Sequence, residues 1–430
     1  MKTMIVVILI CMLLLFLLKV PVYISMALTG CALMVATSGM KWSILTQYLY
    51  TGTNSFTLLA IPLFLLAAKL MNTGGITKKL FAFCMKVVGW LPGGLGHVNI
   101  LSSVIFAGMS GTAVSDAGGL GAIEIKAMNE NGFDNDFSCC VTAASSTMGP
   151  IIPPSIPLVV YATVSGASVG ALFMAGIVPG IVMALLMMVV VTIYAIKRHY
   201  PRTKFPTIHE FGHALKEGFL PLMAPIILLV GIYGGVFTPT ESAAIVVLYS
   251  LFLDVVVYRE LSLKKFIAIL KETVRDSLTI ALIIAGATFF GYVATRAKIP
   301  QMILTSMTSV VSSKVTLLLI INVFLLIVGC FLETASAITI VVPLILPLLT
   351  AYNINLTQFG IIMVLNLMIG LLTPPFGLVL FVISKIGHIS IGRFSKALVP
   401  WLGALIAALL LVTFIPQLSL WFPTMLGMSV

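Results

Sequence analysis

Two short polar clusters interrupt long apolar stretches of this chain. They are Ser110-Gly111-Thr112-Ala113-Val114-Ser115-Asp116 and Glu333-Thr334-Ala335-Ser336. Each is followed by a segment that cannot be a regular helix: Gly149-Pro150-Ile151-Ile152-Pro153-Pro154-Ser155-Ile156-Pro157 and Gly370-Leu371-Leu372-Thr373-Pro374-Pro375. A proline lacks the N–H and clashes with the carbonyl one turn back, so paired prolines break the ladder. Broken helices present carbonyls that hold cations and N–H groups that attract anions. The spacing gives two candidate Na⁺ sites. The first takes backbone oxygens of Gly149, Ile152 and Pro154 with side-chain or backbone oxygens of Ser110 and Thr112. The second takes Gly370, Thr373 and Phe376 with Gly329. Neutral oxygens suffice for Na⁺, so few carboxylates are needed.

The two acids beside the clusters carry a further expectation. A charge at mid-bilayer costs about 2.5–3.5 kcal/mol on insertion scales, so function is the default reading of Asp116 and Glu333. Glu333 is assigned to hydrogen-bonding a substrate or shaping the second ion site, and Asp116 to capping the limb that follows it. A small organic anion then binds between the tips, on Thr112, Ser115, Glu333, Thr334, Ser336 and neighbouring N–H groups. No Arg lies deep in an apolar segment. Lys69 and Lys126 sit near segment ends and are read as snorkelling.

The elements that must position these groups are set by composition. Of 430 residues 60% are hydrophobic and 9% charged, against about 25% charged in soluble domains. Mean hydropathy is +1.18. A soluble enzyme, a disordered chain and a nucleic-acid-binding domain are excluded. The net charge of +11 belongs to cytoplasmic loops under the positive-inside rule. The six Cys lie in apolar stretches without CxxC spacing and read as packing residues. P-loop, HExxH and GxSxG motifs are missing from the sequence. His209 and His213 have i,i+4 spacing in a polar linker with no third ligand. The chain is not read as an enzyme.

Apolar segments near 3–18, 22–40, 54–72, 136–163, 170–196, 218–236, 242–257, 277–295, 357–384 and 397–424 predict ten crossings. The first resembles a signal peptide but runs through Lys19-Val20-Pro21 into another apolar stretch without a cleavage site, and is read as a retained span. Regions 92–130 and 301–350 predict re-entrant hairpins, because non-helical backbone at membrane depth must be lined by protein or water. Residues 259–275 read as an amphipathic interfacial helix, with 41–51 as its counterpart.

The chain repeats itself. Gly149 to Pro154 corresponds to Gly370 to Pro375, and Pro179 corresponds to Pro400 at the same offset. The halves are about 1–200 and 215–430. With the N-terminus outside, five crossings place the basic linker 197–217 inside, together with Lys19, Lys78, Lys79 and Lys86. The second half is then inverted, with 259–275, Lys385, Arg393 and Lys396 inside; Lys41, Arg296 and Lys298 are exceptions. An odd number of crossings per half gives the inverted repeats of secondary transporters.

Several segments together resemble the large membrane subunit of tripartite ATP-independent periplasmic (TRAP) transporters. They are Gly93-Gly94-Leu95-Gly96, the Ser110 to Asp116 cluster, Pro150 to Pro157, Gly234-Gly235-Val236-Phe237-Thr238-Pro239-Thr240-Glu241 and Gly370 to Pro375. The resemblance covers nearly the whole chain. It implies a Na⁺-driven importer of sialic acid, a C4-dicarboxylate or a sugar acid, in a bacterial inner membrane with both termini periplasmic. It also implies an elevator motion of hairpins and broken helices against a scaffold. Two protein partners follow: a periplasmic substrate-binding protein and a small four-helix membrane subunit on a separate polypeptide. Glu333 stands where the family leads one to expect Asp, and Thr238 or Thr240 with Glu241 resembles a helix start.

The expected fold is all-α and polytopic, an inverted-repeat elevator-type transporter with ten spans and two re-entrant hairpins. Its expected segments are scaffold 1–75, transport unit 76–196, linker 197–217, scaffold with arm helix 218–297, transport unit 298–396 and a last span 397–430. A binding-protein-independent Na⁺/anion symporter is the alternative, ahead of a membrane scaffold or enzyme.

Overall fold

A computed structural model describes residues 2–428 except Lys19, Ser38, Gly39, Thr73, Val310 and Ser312. The cytoplasmic placement of Lys19 therefore lies outside the described residues. All regular structure among the described residues is helical. The order of elements repeats. In the first half, Lys2–Leu17 and Val22–Ala36 precede a bent pair, Ser43–Thr53 and Phe56–Met71. Gly74–Val88 follows, and then a tip-bearing unit, Gly94–Ser110 with Ala113–Gly118 and Leu120–Glu130. A divided pair, Asn135–Ser146 and Ile156–Ser165, leads to the long helix Val169–Arg198. The second half runs through Ile208–Tyr233, Pro239–Val257, Leu263–Arg296 and Ile299–Thr308. The second tip lies between Lys314–Phe331 and Thr334–Ala351, followed by Leu356–Gly370 and Leu378–Ile386, Ile391–Phe414 and Gln417–Met425.

Among the described residues seven helices are long and apolar enough to cross a bilayer, or eight if the bent pair is one span. Ten crossings were expected from the apolar segments. The difference has a physical origin. Segments 3–18 and 22–40 become helices of 16 and 15 residues. At 1.5 Å per residue these reach only about 24 Å, short of the roughly 30 Å hydrocarbon layer. Segments 136–163 and 357–384 are each divided at their proline turn. In the other direction, both helices flanking the second tip reach 18 residues and count among the seven.

Two boundaries also move. The linker expected over 197–217 narrows to 199–207, because Thr207 and Glu210 form a capping box that starts the next helix at Ile208. Residues 259–275 are not a separate interfacial helix. Residues 263–275 form the start of the 34-residue helix Leu263–Arg296, in which no cap or breaker separates the amphipathic part from the apolar part, and 259–262 precede it. The counterpart expected at 41–51 is the helix Ser43–Thr53, and it packs on Leu263–Arg296.

The halves interlock rather than sitting side by side. Val22–Ala36 and Ser43–Thr53 pack on Leu263–Arg296, Ala60–Met71 packs on Pro239–Phe252, and Gly74–Val88 packs on Ile208–Tyr233. On the outside of Val169–Arg198, Ile181, Leu185, Val189 and Ile193 are exposed at every fourth position. Such an apolar stripe is unfavourable against water and suited to lipid.

Inside each half, polar side chains tie helices together. Asn99 donates to Glu124 at 2.6 Å and to Thr142 at 2.8 Å, while Ser145 donates to Asn99 at 2.7 Å. In the other half Asn366 donates to Asn322 at 2.9 Å, and Asn322 to Thr413 at 3.1 Å. All of these residues are buried. Asn99→Leu removes the amide partner of Glu124, Thr142 and Ser145 and leaves the buried Glu124 carboxyl without its donor, and the expected loss is about 2–3 kcal/mol. A lowered thermal unfolding midpoint in detergent checks it, and an unchanged midpoint would count against a structural role for the network. At the end of Val169–Arg198, the Tyr200 phenol donates to the Asp134 carboxylate at 2.7 Å, and the Arg198 guanidinium donates to the same carboxylate at 2.8 Å. Together they hold the Asp134 carboxyl below its usual value and fasten this helix to the start of Asn135–Ser146.

Candidate functional site

The first tip is a chain reversal between two helix ends. Gly94–Ser110 stops at Gly111, which is left-handed (φ 63°). The carbonyl oxygen of Pro154 lies 2.6 Å from where a β-carbon on Gly111 would stand, so glycine is required twice over. Ile156 donates its N–H to the Gly111 carbonyl at 3.4 Å, joining the tip to the broken segment. Thr112 then caps Ala113–Gly118, its hydroxyl accepting from the Ser115 N–H at 3.4 Å.

Thr112, not Asp116, is thus the cap. Asp116 lies inside the short helix and turns back, accepting a hydrogen bond from the Ser110 hydroxyl. Its other oxygen, Oδ2, is buried without a hydrogen-bond partner. A β-carbon on Gly149 would stand 2.6 Å from that oxygen and 3.3 Å from the Thr112 carbonyl oxygen. The fold therefore gathers Ser110, Thr112, Gly149 and Pro154 about the 111–116 turn, with an uncompensated carboxylate oxygen among them. Ile152 directs its side chain onto Gly180 of Val169–Arg198, and its N–H bonds to the Met148 carbonyl at 2.9 Å.

The second tip is built differently. Glu333 caps Thr334–Ala351 with its own carboxylate, accepting from the Ser336 N–H at 3.2 Å and the Ser336 hydroxyl at 3.4 Å. Behind it Gly329 and Gly370 touch backbone to backbone. Thr373 donates its hydroxyl to the Ile369 carbonyl at 2.9 Å. The carbonyls of Leu371 and Thr373 converge on Gly377. Phe376 is half exposed, its ring 5.7 Å from that of Phe331. Gly329, Glu333 and Phe376 line one cavity of about 400 Å³. This second group of oxygens is more open than the first.

The two tips face a common cavity of about 630 Å³, lined by Ser110, Thr112, Ser115, Glu333 and Ser336. Thr334 lines a smaller adjoining pocket of about 90 Å³ with Thr112 and Pro157. Opposite the tips stand Tyr23, Lys69, Asp276 and Thr279. Lys69 is paired with Asp276 at 2.7 Å and Glu272 at 3.3 Å and lines the cavity. Lys126 does sit exposed, beside Glu130. Sequence alone reads Lys69 as snorkelling and Asp116 as a cap, and marks neither the cavity position of the one nor the unpartnered oxygen of the other. Lys69 meets Asp276 across 207 positions, and no local pattern marks that pairing. The helix start at Pro239 is the expected one: Thr238 accepts from the Glu241 N–H at 3.3 Å, and Glu241 accepts from the Thr238 N–H at 2.7 Å. Among the described residues no three His, Cys, Asp or Glu side chains group as metal ligands.

Comparison with known proteins gives a consistent result. Residues 9–418 match the family described as tripartite ATP-independent periplasmic transporter, DctM component. The chain is 42% identical over 403 residues to the sialic acid TRAP transporter large permease protein SiaM of Vibrio cholerae, covering 94% of each. It is 36% identical over 428 residues to the C4-dicarboxylate large permease DctM of the same organism, covering 95% of this chain and 94% of that one. The fold is similar to the crystal structure of the Alcanivorax borkumensis YdaH transporter. The TM-score is 0.63 at 15% identity, over 86% of each chain. With its apolar helices, this describes a multi-pass transport protein of the bacterial inner membrane. The chain belongs to the TRAP transporter family and is its large permease subunit.

Proposed function

We propose that this permease imports a small organic anion with Na⁺, receiving it from a periplasmic binding protein. The observation that carries the reading is the shared cavity, which residues of both polar tips line together. Ser110, Thr112, Gly149, Ile152 and Pro154, with Asp116, hold one Na⁺ at the first tip. Gly329, Gly370, Thr373 and Phe376 hold another at the second. The substrate lies between them, on Thr112, Ser115, Glu333, Thr334 and Ser336. The two tips act as re-entrant hairpins in an arrangement of ten crossings, in which 3–18, 22–40 and the divided pairs cross as short or interrupted helices. Residues 76–196 and 298–396 move as a unit against the scaffold of 1–75 and 218–297, with 397–430 as a last span. Residues 199–207 and the basic start of Leu263–Arg296 face the cytoplasm, and both termini the periplasm. A small membrane subunit widens the scaffold.

The 42% relative is a sialic acid transporter, which makes sialic acid the first substrate to test and a C4-dicarboxylate the second. The test reconstitutes the permease with its small subunit and binding protein in vesicles and follows labelled sialic acid and succinate. Accumulation that needs both an inward Na⁺ gradient and the binding protein supports the reading. Equal uptake without the binding protein would instead favour the autonomous symporter. Thr373→Ala removes one oxygen from the second ion group. The half-activating Na⁺ concentration is expected to rise roughly five-fold, for a loss of about 1 kcal/mol, with substrate delivery little changed. Unaltered Na⁺ activation would remove Thr373 from the site.

A further inference from the structure

The tips supply hydroxyls, backbone groups and the Glu333 carboxylate, but no cation. Among the described residues lining the shared cavity, Lys69 is the one cationic side chain. It extends from the last turn of Ala60–Met71, and its side chain is 20% exposed against 48% for Asp276 and 69% for Glu272. As a clamp between the two helices this cluster is weak, because ion pairs with such exposed partners contribute little to stability. As an anion receptor it is well placed. Leu65, Ala68, Ile280 and Ile283 surround it in the same cavity, and an apolar wall lengthens the reach of a charge. Asp276 is half exposed and can turn to water when another carboxylate arrives.

We propose that Lys69 is the anion-recognition group on the wall opposite the tips. Its ammonium meets the substrate carboxylate, and Asp276 holds that ammonium in place while the cavity is empty. The inference rests on the reading of this cavity as the substrate site. Lys69 would then determine specificity for acids over neutral sugars of the same size. Glu333, by its negative charge and its engagement with Ser336, serves the hydroxyl-bearing part of the substrate.

The test uses the complete transporter in right-side-out vesicles, the lumen standing for the cytoplasm. The liganded binding protein is kept saturating outside, so that its own affinity does not set the result. Exchange is measured against varied lumenal sialic acid, with succinate in parallel. Lys69→Gln is expected to raise the half-saturating lumenal concentration about ten-fold or more, while maximal exchange falls less than about two-fold. Lys69→Arg stays within about three-fold of wild type on both measures. Asp276→Asn moves the other way and lowers the half-saturating concentration by up to about five-fold, because a competing carboxylate is gone. If Lys69→Gln and Asp276→Asn both lower maximal exchange at unchanged half-saturation, the pair is only a clamp and the proposal is overturned. If wild type exchanges neither anion, the substrate reading of the cavity falls, and Lys69 with it.

Discussion

Asp116→Asn is expected to raise the Na⁺ concentration needed for half-maximal uptake by more than about 100-fold, a loss of about 3 kcal/mol of ion binding. The size follows from the geometry. Asp116 is 2% exposed, one oxygen is held by Ser110, and the other has no partner. An ionised carboxylate in that position is costly unless a cation accompanies it, so cation binding and its charge go together. The neutral amide keeps the shape and removes the charge. Two readings of the same variant separate a binding role from a structural one. In Na⁺-free buffer Asp116→Asn should unfold at the wild-type temperature or above, since a buried charge has gone. Added Na⁺ should stabilise wild type, as any ligand of the native state does, and leave the variant unmoved. A variant that is destabilised in the absence of Na⁺ and still stabilised by it would show that Asp116 packs the tip and binds no ion.

Gly370→Ala should have the largest effect on the fold. A β-carbon there would stand 2.5 Å from the Gly329 α-carbon and 2.8 Å from its carbonyl oxygen. Both neighbours are backbone, so neither can rotate away, and Lys314–Phe331 must part from Leu356–Gly370. Overpacking of this kind costs about 1–3 kcal/mol. The sign is diagnostic, because Gly to Ala in an unhindered helix is favourable by up to about 1 kcal/mol. Gly329→Ala is the graded control. Its β-carbon would meet the Leu367 and Gly370 α-carbons at 3.1 and 3.2 Å, a crowding that small shifts relieve. The expected order of unfolding midpoints is wild type, then Gly329→Ala, then Gly370→Ala, with uptake lost in the last. A rise in the Gly370→Ala midpoint would mean that the two helices are not in backbone contact.

What the sequence made legible, and what it did not, divides along the range of the interactions. The double prolines and the Thr238–Glu241 helix start act through bonds to near neighbours, and their consequences can be worked out from residue types alone. Helix length is less local. The junction near Asp276 and Ser277 reads as a boundary because charge gives way to apolar residues, yet the helix Leu263–Arg296 continues through it. Composition changed there while backbone hydrogen bonding did not. The surroundings of Asp116 and Lys69 were out of reach for a further reason. An acid near a helix start reads as a cap and a lysine near a span end reads as snorkelling, and both are sound local preferences. What decides each is a group brought from far along the chain: Gly149 against the free oxygen of Asp116, and Asp276 against the ammonium of Lys69.

The bent pair and the unbroken helix occupy equivalent places in the two halves but are unlike as beams. Ser43–Thr53 and Phe56–Met71 meet at 51°, while Leu263–Arg296 is a single rod of 34 residues that carries Tyr292 stacked on Tyr48 at 4.0 Å. A rod resists flexing along its whole length, whereas a jointed pair concentrates any flexing at residues 54–55. The frame around the cavity therefore has one stiff edge and one that yields. The halves are alike in the order of their elements, but force applied to them is shared unequally.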